Sequence, residues 1–261
     1  MEKVLVEKTA SRGIAVAPVY LYLDPDLSFG TEKISKEQVQ EELDKFTQAK
    51  TAVVEELTVL AQQNEIFAAH LEIAGDFMLQ DGVESKVKND LKNVQQAISE
   101  TIEEFAVIFE SMDDEYMKER AADVKDIGKR LLAGTKHVKL PDLGGITEPV
   151  IVVARDMYPS DTVKINTSLV KGIITEEGGV TSHVSILAKS MGIPTLVGVK
   201  GILSKVSDGE TICMNAGEGV IVVQPDEEIL NEYKAQKEAY EAEKARLESL
   251  RNTPAVTKEG K

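Results

Sequence analysis

Over the first 30 positions the apolar residues fall in short runs of Val, Ile, Leu and Tyr. VLVEKTA is followed by SRGIAVAPVYLY, with Gly13 and Pro18 as punctuation. Such runs predict strands, and the DPDLSFGTEK that follows reads as a loop. At Ser35 the period changes. Ser35 precedes KEQVQEELDKF, with Glu37 and Gln38 in the first turn, an N-cap signal. Val39, Leu43, Phe46, Ala49, Val53 and Leu57 recur at three- and four-residue spacings, which predicts a long amphipathic helix. Asn64 restarts the pattern, with Ile66, Phe67, His70, Leu71 and Ala74 as its stripe. Gly75 and Asp81-Gly82 are expected to interrupt it, leaving a short helix from Val83 to Lys92. NVQQAISETIEEFAVIFESM puts Ile98, Ile102, Phe105, Ile108 and Phe109 on one side, and DDEYMKERAADVKDIGKRLLAG is expected to end at Gly134.

From Val138 the chain returns to mixed character. PVIVVA and VKGIITE read as buried strands, with PSDTVKIN between them as a short helix started by Pro159 and Ser160. A further helix follows His183, then strands at PTLVG, TICMNA and GVIVVQP. A highly charged helix runs from Pro225 to Arg251. The expected fold class is α/β plus all-α. Residues 1–33 and 137–225 form an α/β domain, and residues 34–136 form an antiparallel helical bundle inserted into it. Residues 226–261 form a linker helix and tail.

Composition narrows the function. Net charge is −15, and Lys36 to Lys136 alone holds 22 Asp/Glu against 12 Lys/Arg. An acidic surface disfavours nucleic acid and favours a basic protein partner. No apolar run is long enough to span a bilayer, and no secretory pattern opens the chain. With Cys213 as the single cysteine, an internal disulfide is impossible and a cytoplasmic location is expected.

The chemistry concentrates in GGVTSHVSILAKSMGIPTLVG, Gly178 to Gly198. Gly178 and Gly179 let backbone approach a ligand. Thr181 and Ser182 supply hydroxyls, and a helix start offers unpaired N–H groups. That is a cradle for an anion, and His183 at its centre suggests a nucleophile that takes a phosphoryl group. A neutral imidazole is available near pH 7. His137 beside lysines reads as a surface residue, and His70 on an apolar stripe reads as a satisfied, partly buried one. No GxxxxGK[ST] occurs, and no metal cluster lies near His183.

These residues carry a resemblance that spans the whole chain. The Gly178–Gly198 segment is similar to the active-histidine motif of enzyme I of the bacterial sugar phosphotransferase system. DDEYMKERAADVKDIGKRLL resembles a signature of that family's helical subdomain. EIFAAHLEI resembles the segment that meets the partner protein HPr. The resemblance implies a swivelling phosphohistidine domain. In it, His183 accepts phosphate on Nε2 and passes it to a histidine of HPr, and the Thr162 hydroxyl helps orient the imidazole. It implies that Ile66, His70, Ile73, Leu79, Met117 and Arg120 lie at the HPr-binding face. It assigns phosphoenolpyruvate and magnesium to a C-terminal barrel beyond these residues, with no cofactor or metal in this chain. It implies a monomer for this part and a homodimer for the intact enzyme. Val180 stands where the family usually has Arg, Phe77-Met78 where relatives often have an acidic pair, and Ser11-Arg12-Gly13 where Ser-Pro-Gly is usual. Ala61 and Gln62 stand where relatives carry glutamates. A dikinase-like swivelling domain and a non-catalytic acidic docking module are the competing readings.

Overall fold

The computed structural model describes residues 2–62, 64–180 and 182–251, the side chains of Ile66, Glu115, Tyr116, Glu119, His183, Glu248, Leu250 and Arg251 excepted. The chain divides into two compact units. One comprises Leu23–Gly144 and Tyr158–Ile165; the other comprises Met1–Tyr22, Gly145–Met157 and Asn166–Lys261.

The first unit is helical: α1 (Val39–Ala61), α2 (Ile66–Gly75), α3 (Phe77–Asp90), α4 (Val94–Glu110), α5 (Glu115–Thr135) and α6 (Pro159–Thr162). Before α1 the Ser35 N–H donates to Gln38 Oε1 at 2.8 Å. The apolar stripes meet in one core that includes Phe46, Leu57, Phe67, Leu79, Ile98, Ile127 and Leu131. Two glycines expected to break helices instead let helices approach. A Cβ on Gly82 would meet Thr101 Cγ2 at 2.8 Å, and one on Gly134 would meet Ala49 Cβ at 3.0 Å. α3 therefore runs through Asp81-Gly82. It starts at Phe77 because Asp76 caps it, accepting from the N–H groups of Met78 at 2.6 Å and Leu79 at 3.3 Å. α5 runs past Gly134 to Thr135.

The PSDT helix was expected within the α/β domain, but Tyr158–Ile165 groups with the helical unit. Val163 packs against the helical core. The Lys129 ammonium lies 5.0 Å from the Tyr158 ring centroid, a cation–π distance. Pro159 opens α6, where its missing N–H costs nothing.

The second unit holds β1 (Glu2–Leu5), β2 (Thr9–Ser11), β3 (Ile14–Tyr22), β4 (Val150–Ala154), β5 (Val170–Thr175), β6 (Thr195–Leu196), β7 (Thr211–Asn215) and β8 (Val220–Val223). They form one sheet in the order β1-β8-β7-β3-β4-β5-β6-β2. β3 is the switch: antiparallel to β7 and parallel to β4, after which β4, β5 and β6 run parallel. Ile151, Val153, Ile174, Leu196, Ile212, Met214 and Ile221 fill its core. Two helices join it, α7 (His183–Met191) and α8 (Glu227–Arg251). α8 packs Ile229, Leu230 and Tyr233 against Cys213, Val220 and Val222. The loop Glu176–Ser182 leaves the carboxyl end of parallel strand β5, the end at which open α/β sheets bind ligands.

Candidate functional site

His183 is the first residue of α7 and Ser182 is its N-cap. The Ser182 hydroxyl accepts from the Ser185 N–H at 3.4 Å and lies 3.0 Å from Ser185 Oγ. Ser185 Oγ donates to the Gly179 carbonyl at 2.7 Å, and the Ser182 N–H donates to that same carbonyl at 2.9 Å. A buried serine one turn into the helix thus pins the glycine loop beneath the first residue of α7. Gly178 takes φ +90°, a conformation a side chain resists. The Gly198 N–H closes the loop from the other side, donating to the Glu177 carbonyl at 3.3 Å. The result is a turn fastened by these hydrogen bonds at the N-terminal, positive end of α7.

Ser185 escaped sequence reasoning. A serine inside a helix carries no signal of its own, yet its hydroxyl fixes the loop. Lys8 was also missed. Its side chain lies against Gly198, where an added Cβ would meet Lys8 Cδ at 3.2 Å and Nζ at 3.7 Å. A cation from the edge of the sheet therefore stands beside the glycine loop. No local pattern flags it, because Lys8 and Gly198 are distant in sequence. Thr181 and the His183 side chain lie outside what is described.

Thr162 belongs to α6 in the helical unit. It is buried, and its Oγ1 donates to the Pro159 carbonyl at 2.6 Å. Its hydrogen is committed and its lone pairs remain for an N–H donor.

The residues expected at a partner face separate into two depths. Met117 is partly exposed on α5 and Arg120 half-buried. Ile66 opens α2, and Ile73 packs partly buried against the core. Leu79 instead belongs to the core at 1% exposure, because α3 begins early enough to turn it inward. His70 is buried completely. Its Nε2 lies 3.0 Å from Asp126 Oδ2 and 3.7 Å from Asp123 Oδ1. Arg130 Nε reaches Asp126 Oδ1 at 3.5 Å, and Arg130 Nη1 pairs with Glu56 at 2.8 Å. Burial opposes the Asp126 charge, but the His70 hydrogen bond and Arg130 outweigh it and hold the carboxyl below its ordinary range. Burial likewise works against Arg130, and Asp126 and Glu56 raise it. His70 and Leu79 therefore lie beneath the surface. Above them, Phe77 is 74% and Met78 69% exposed. The substituted pair is what α3 presents to solvent.

Cys213 lies buried in β7, and burial pushes its thiol up to about 11, so it is not a nucleophile near neutral pH. Among the described residues, no group of three or more His, Cys, Asp or Glu could hold a metal ion. No described helix is long and apolar enough to cross a membrane.

Comparison with known proteins gives the family. The family described as PEP-utilising enzyme, N-terminal, matches residues 8–120, and PEP-utilising enzyme, mobile domain, matches residues 146–219. The phosphoenolpyruvate-protein phosphotransferase of Staphylococcus carnosus is 38% identical across the whole chain and 47% of its own length. That of Listeria monocytogenes is likewise 38% identical over 47% of its length. The chain thus spans about half the length of the curated relatives it matches. The NMR solution structure of an Enzyme I protein aligns at TM-score 0.79 and 38% identity, covering 91% of this chain and 100% of that one. The N-terminal domain of a nitrogen Enzyme 1 shares the fold, at TM-score 0.54 and 22% identity. The chain belongs to the enzyme I family, the phosphoenolpyruvate-protein phosphotransferases.

Proposed function

We propose that this chain is the phosphoryl-carrying half of an enzyme I, with His183 as the covalent carrier and HPr as acceptor. The observation that carries the reading is a histidine opening α7 directly after a serine cap and a glycine loop pinned by Ser185. In the first step a lone pair of His183 Nε2 attacks the phosphorus of phosphoenolpyruvate, held by the remaining half of the enzyme. The P–N bond forms, the bond to the enol oxygen breaks, and the enolate leaves to gain a proton as pyruvate. In the second step a histidine nitrogen of HPr attacks the same phosphorus. The bond to His183 breaks and its electron pair returns to the imidazole.

The glycine-loop N–H groups, the Ser182 and Thr181 hydroxyls and Lys8 are the groups this reading assigns to the phosphoryl oxygens, whose charge must be stabilised in transfer. Thr162, with lone pairs available, suits an imidazole N–H. The acidic helical unit suits a basic partner, and Phe77, Met78 and Met117 offer it an apolar centre. Magnesium belongs, on this reading, with the phosphoenolpyruvate-binding half. The cytoplasm is the compartment of action, with this half monomeric and the intact enzyme a homodimer.

The test uses two donors. Incubated with radiolabelled phospho-HPr, the chain should acquire acid-labile phosphate and return it to unlabelled HPr. With phosphoenolpyruvate alone it should stay unlabelled. Label that survives His183→Ala, or label from phosphoenolpyruvate alone, would overturn this reading.

A further inference from the structure

A second concentration of groups suited to an anion lies at the far end of α7. A cleft of about 830 Å³ opens in the α/β unit between the β2–β3 turn, the C-terminal end of α7 and α8. Arg12, Lys171, Lys189, Lys237 and Lys244 line it, with Glu241 as the one carboxylate. In a chain of net charge −15 this concentration of cations stands out. They come from four separate segments: the β2–β3 turn, β5, α7 and α8. Among the described residues, Arg12, Lys171, Lys189 and Lys244 have no ion-pair partner; Lys237 pairs with Glu241 at 3.7 Å.

The α8 face toward the cleft carries Lys237, Tyr240, Glu241 and Lys244. That i, i+3, i+4, i+7 spacing normally brings apolar residues against a protein body. Here it brings ammonium groups, so packing alone does not account for this face. Lys189 and Lys244 have a partial structural explanation. Lys244 Nζ would lie 3.4 Å from a Cβ on Gly192, the left-handed C-cap of α7, where a cation meets the negative end of the helix. Lys237 has Glu241; that leaves Arg12 and Lys171 unexplained, and like charges facing one cleft repel until an anion joins them.

We infer that this cleft binds a small molecule bearing two or more phosphates. Its volume exceeds what one inorganic phosphate fills and falls in the range of small-molecule sites. Lysine ammoniums and an arginine fork are the groups that hold phosphate. The half-exposed Tyr240 ring and Pro194 at the wall suit a planar ring attached to those phosphates, as in a nucleoside diphosphate. The site is separate from His183. The nine residues of α7 put its two ends about 13 Å apart along the axis.

The experiment is a calorimetric and amide-NMR titration of the chain at about 0.15 M ionic strength, a physiological value. Pyrophosphate and ADP are the probes, without magnesium. Saturable binding of both is expected, with shifts at Gly13, Gly192 and along Lys237–Lys244. Lys189→Gln combined with Lys171→Gln should weaken it about tenfold or more, given the strength of charged hydrogen bonds. Exposed Lys125→Gln in the helical unit should leave it unchanged. ADP tighter than pyrophosphate, with the difference lost in Tyr240→Ala, assigns a nucleotide; equal affinities assign the phosphates alone. Binding should persist in His183→Ala, so failure of the phosphoryl-carrier reading leaves this one standing. No saturable binding of either probe, or affinity unaltered in the double variant with its circular dichroism intact, would refute the site.

Discussion

The two units differ in the charge they bury. Among the described residues, the helical unit buries the ionisable Glu42, His70, Asp126, Lys129 and Arg130 beside the neutral Thr101, Thr135, Ser160 and Thr162. The α/β unit buries only neutral polar side chains: Ser11, Thr175, Ser185, Thr195 and Asn215. Both units pack an apolar core, and the helical one carries in addition buried charges that need partners. A buried ion network fixes geometry strictly, because every misplacement strands a charge. A neutral aliphatic core is indifferent to pH. On the proposed reading, the contrast gives the docking surface a rigid support in the first unit and the carrier histidine a dry platform in the second.

The largest expected effect breaks the network. Asp126→Ala leaves His70 and Arg130 buried without their shared carboxylate, and should cost the helical unit about 3–5 kcal/mol. Unit-resolved amide exchange should show the loss there alone. Its counterpart is Ile174→Ala, which opens a cavity in the core of the α/β unit and should cost about 2–5 kcal/mol. That cost should be unchanged on acidification below about pH 4, whereas the Asp126→Ala cost should shrink there as the wild-type carboxylate is protonated. Equal pH dependence for both variants would erase the distinction between the units.

Acid comes next. Asp126 titrates below its ordinary 3.8 in the folded unit, so its stabilisation is complete above that value and disappears as pH falls through the lower folded one. Glu84 and Glu100 are also held low by hydrogen bonds, first from Lys88 and from Lys92 respectively. On acidification below about pH 4, the ordinary carboxylate range, helical-unit resonances should collapse before those of the sheet. Simultaneous loss would argue against the comparison. A smaller effect is expected from Ser182→Ala, about 1 kcal/mol for a lost N-cap, read as faster exchange of the first α7 amides. Smallest is Phe77→Ser with Met78→Ser, which removes exposed apolar surface only. HPr affinity should drop several-fold with thermal stability unchanged, and an unaltered affinity would move the docking face elsewhere.

The helices and strands were legible because their periods are local. The Ser35 start, the long stripe from Val39 to Leu57 and the strands at PVIVVA and VKGIIT all stand where apolar spacing put them. What escaped depended on neighbours distant in sequence. Gly82 and Gly134 look like breakers until Thr101 and Ala49 are seen against them. Leu79 looks like a surface contact until the Asp76 cap sets the phase of α3. At the candidate site, His183 and its glycines were readable from one segment. The Ser185 lock was hidden because one serine looks like another until its hydroxyl finds a carbonyl. The His70–Asp126 pair spans 56 residues, and no pattern within one helix reveals it.

The central claim is that His183 carries the phosphoryl group, and phosphorus NMR tests it most directly. The chain, incubated with phospho-HPr, should show a new phosphoramidate resonance coupled to imidazole protons of His183, absent in His183→Ala and restored to HPr on adding unphosphorylated partner. A resonance coupled to His70 or His137, or no phosphoramidate under conditions where HPr binds, would contradict the account.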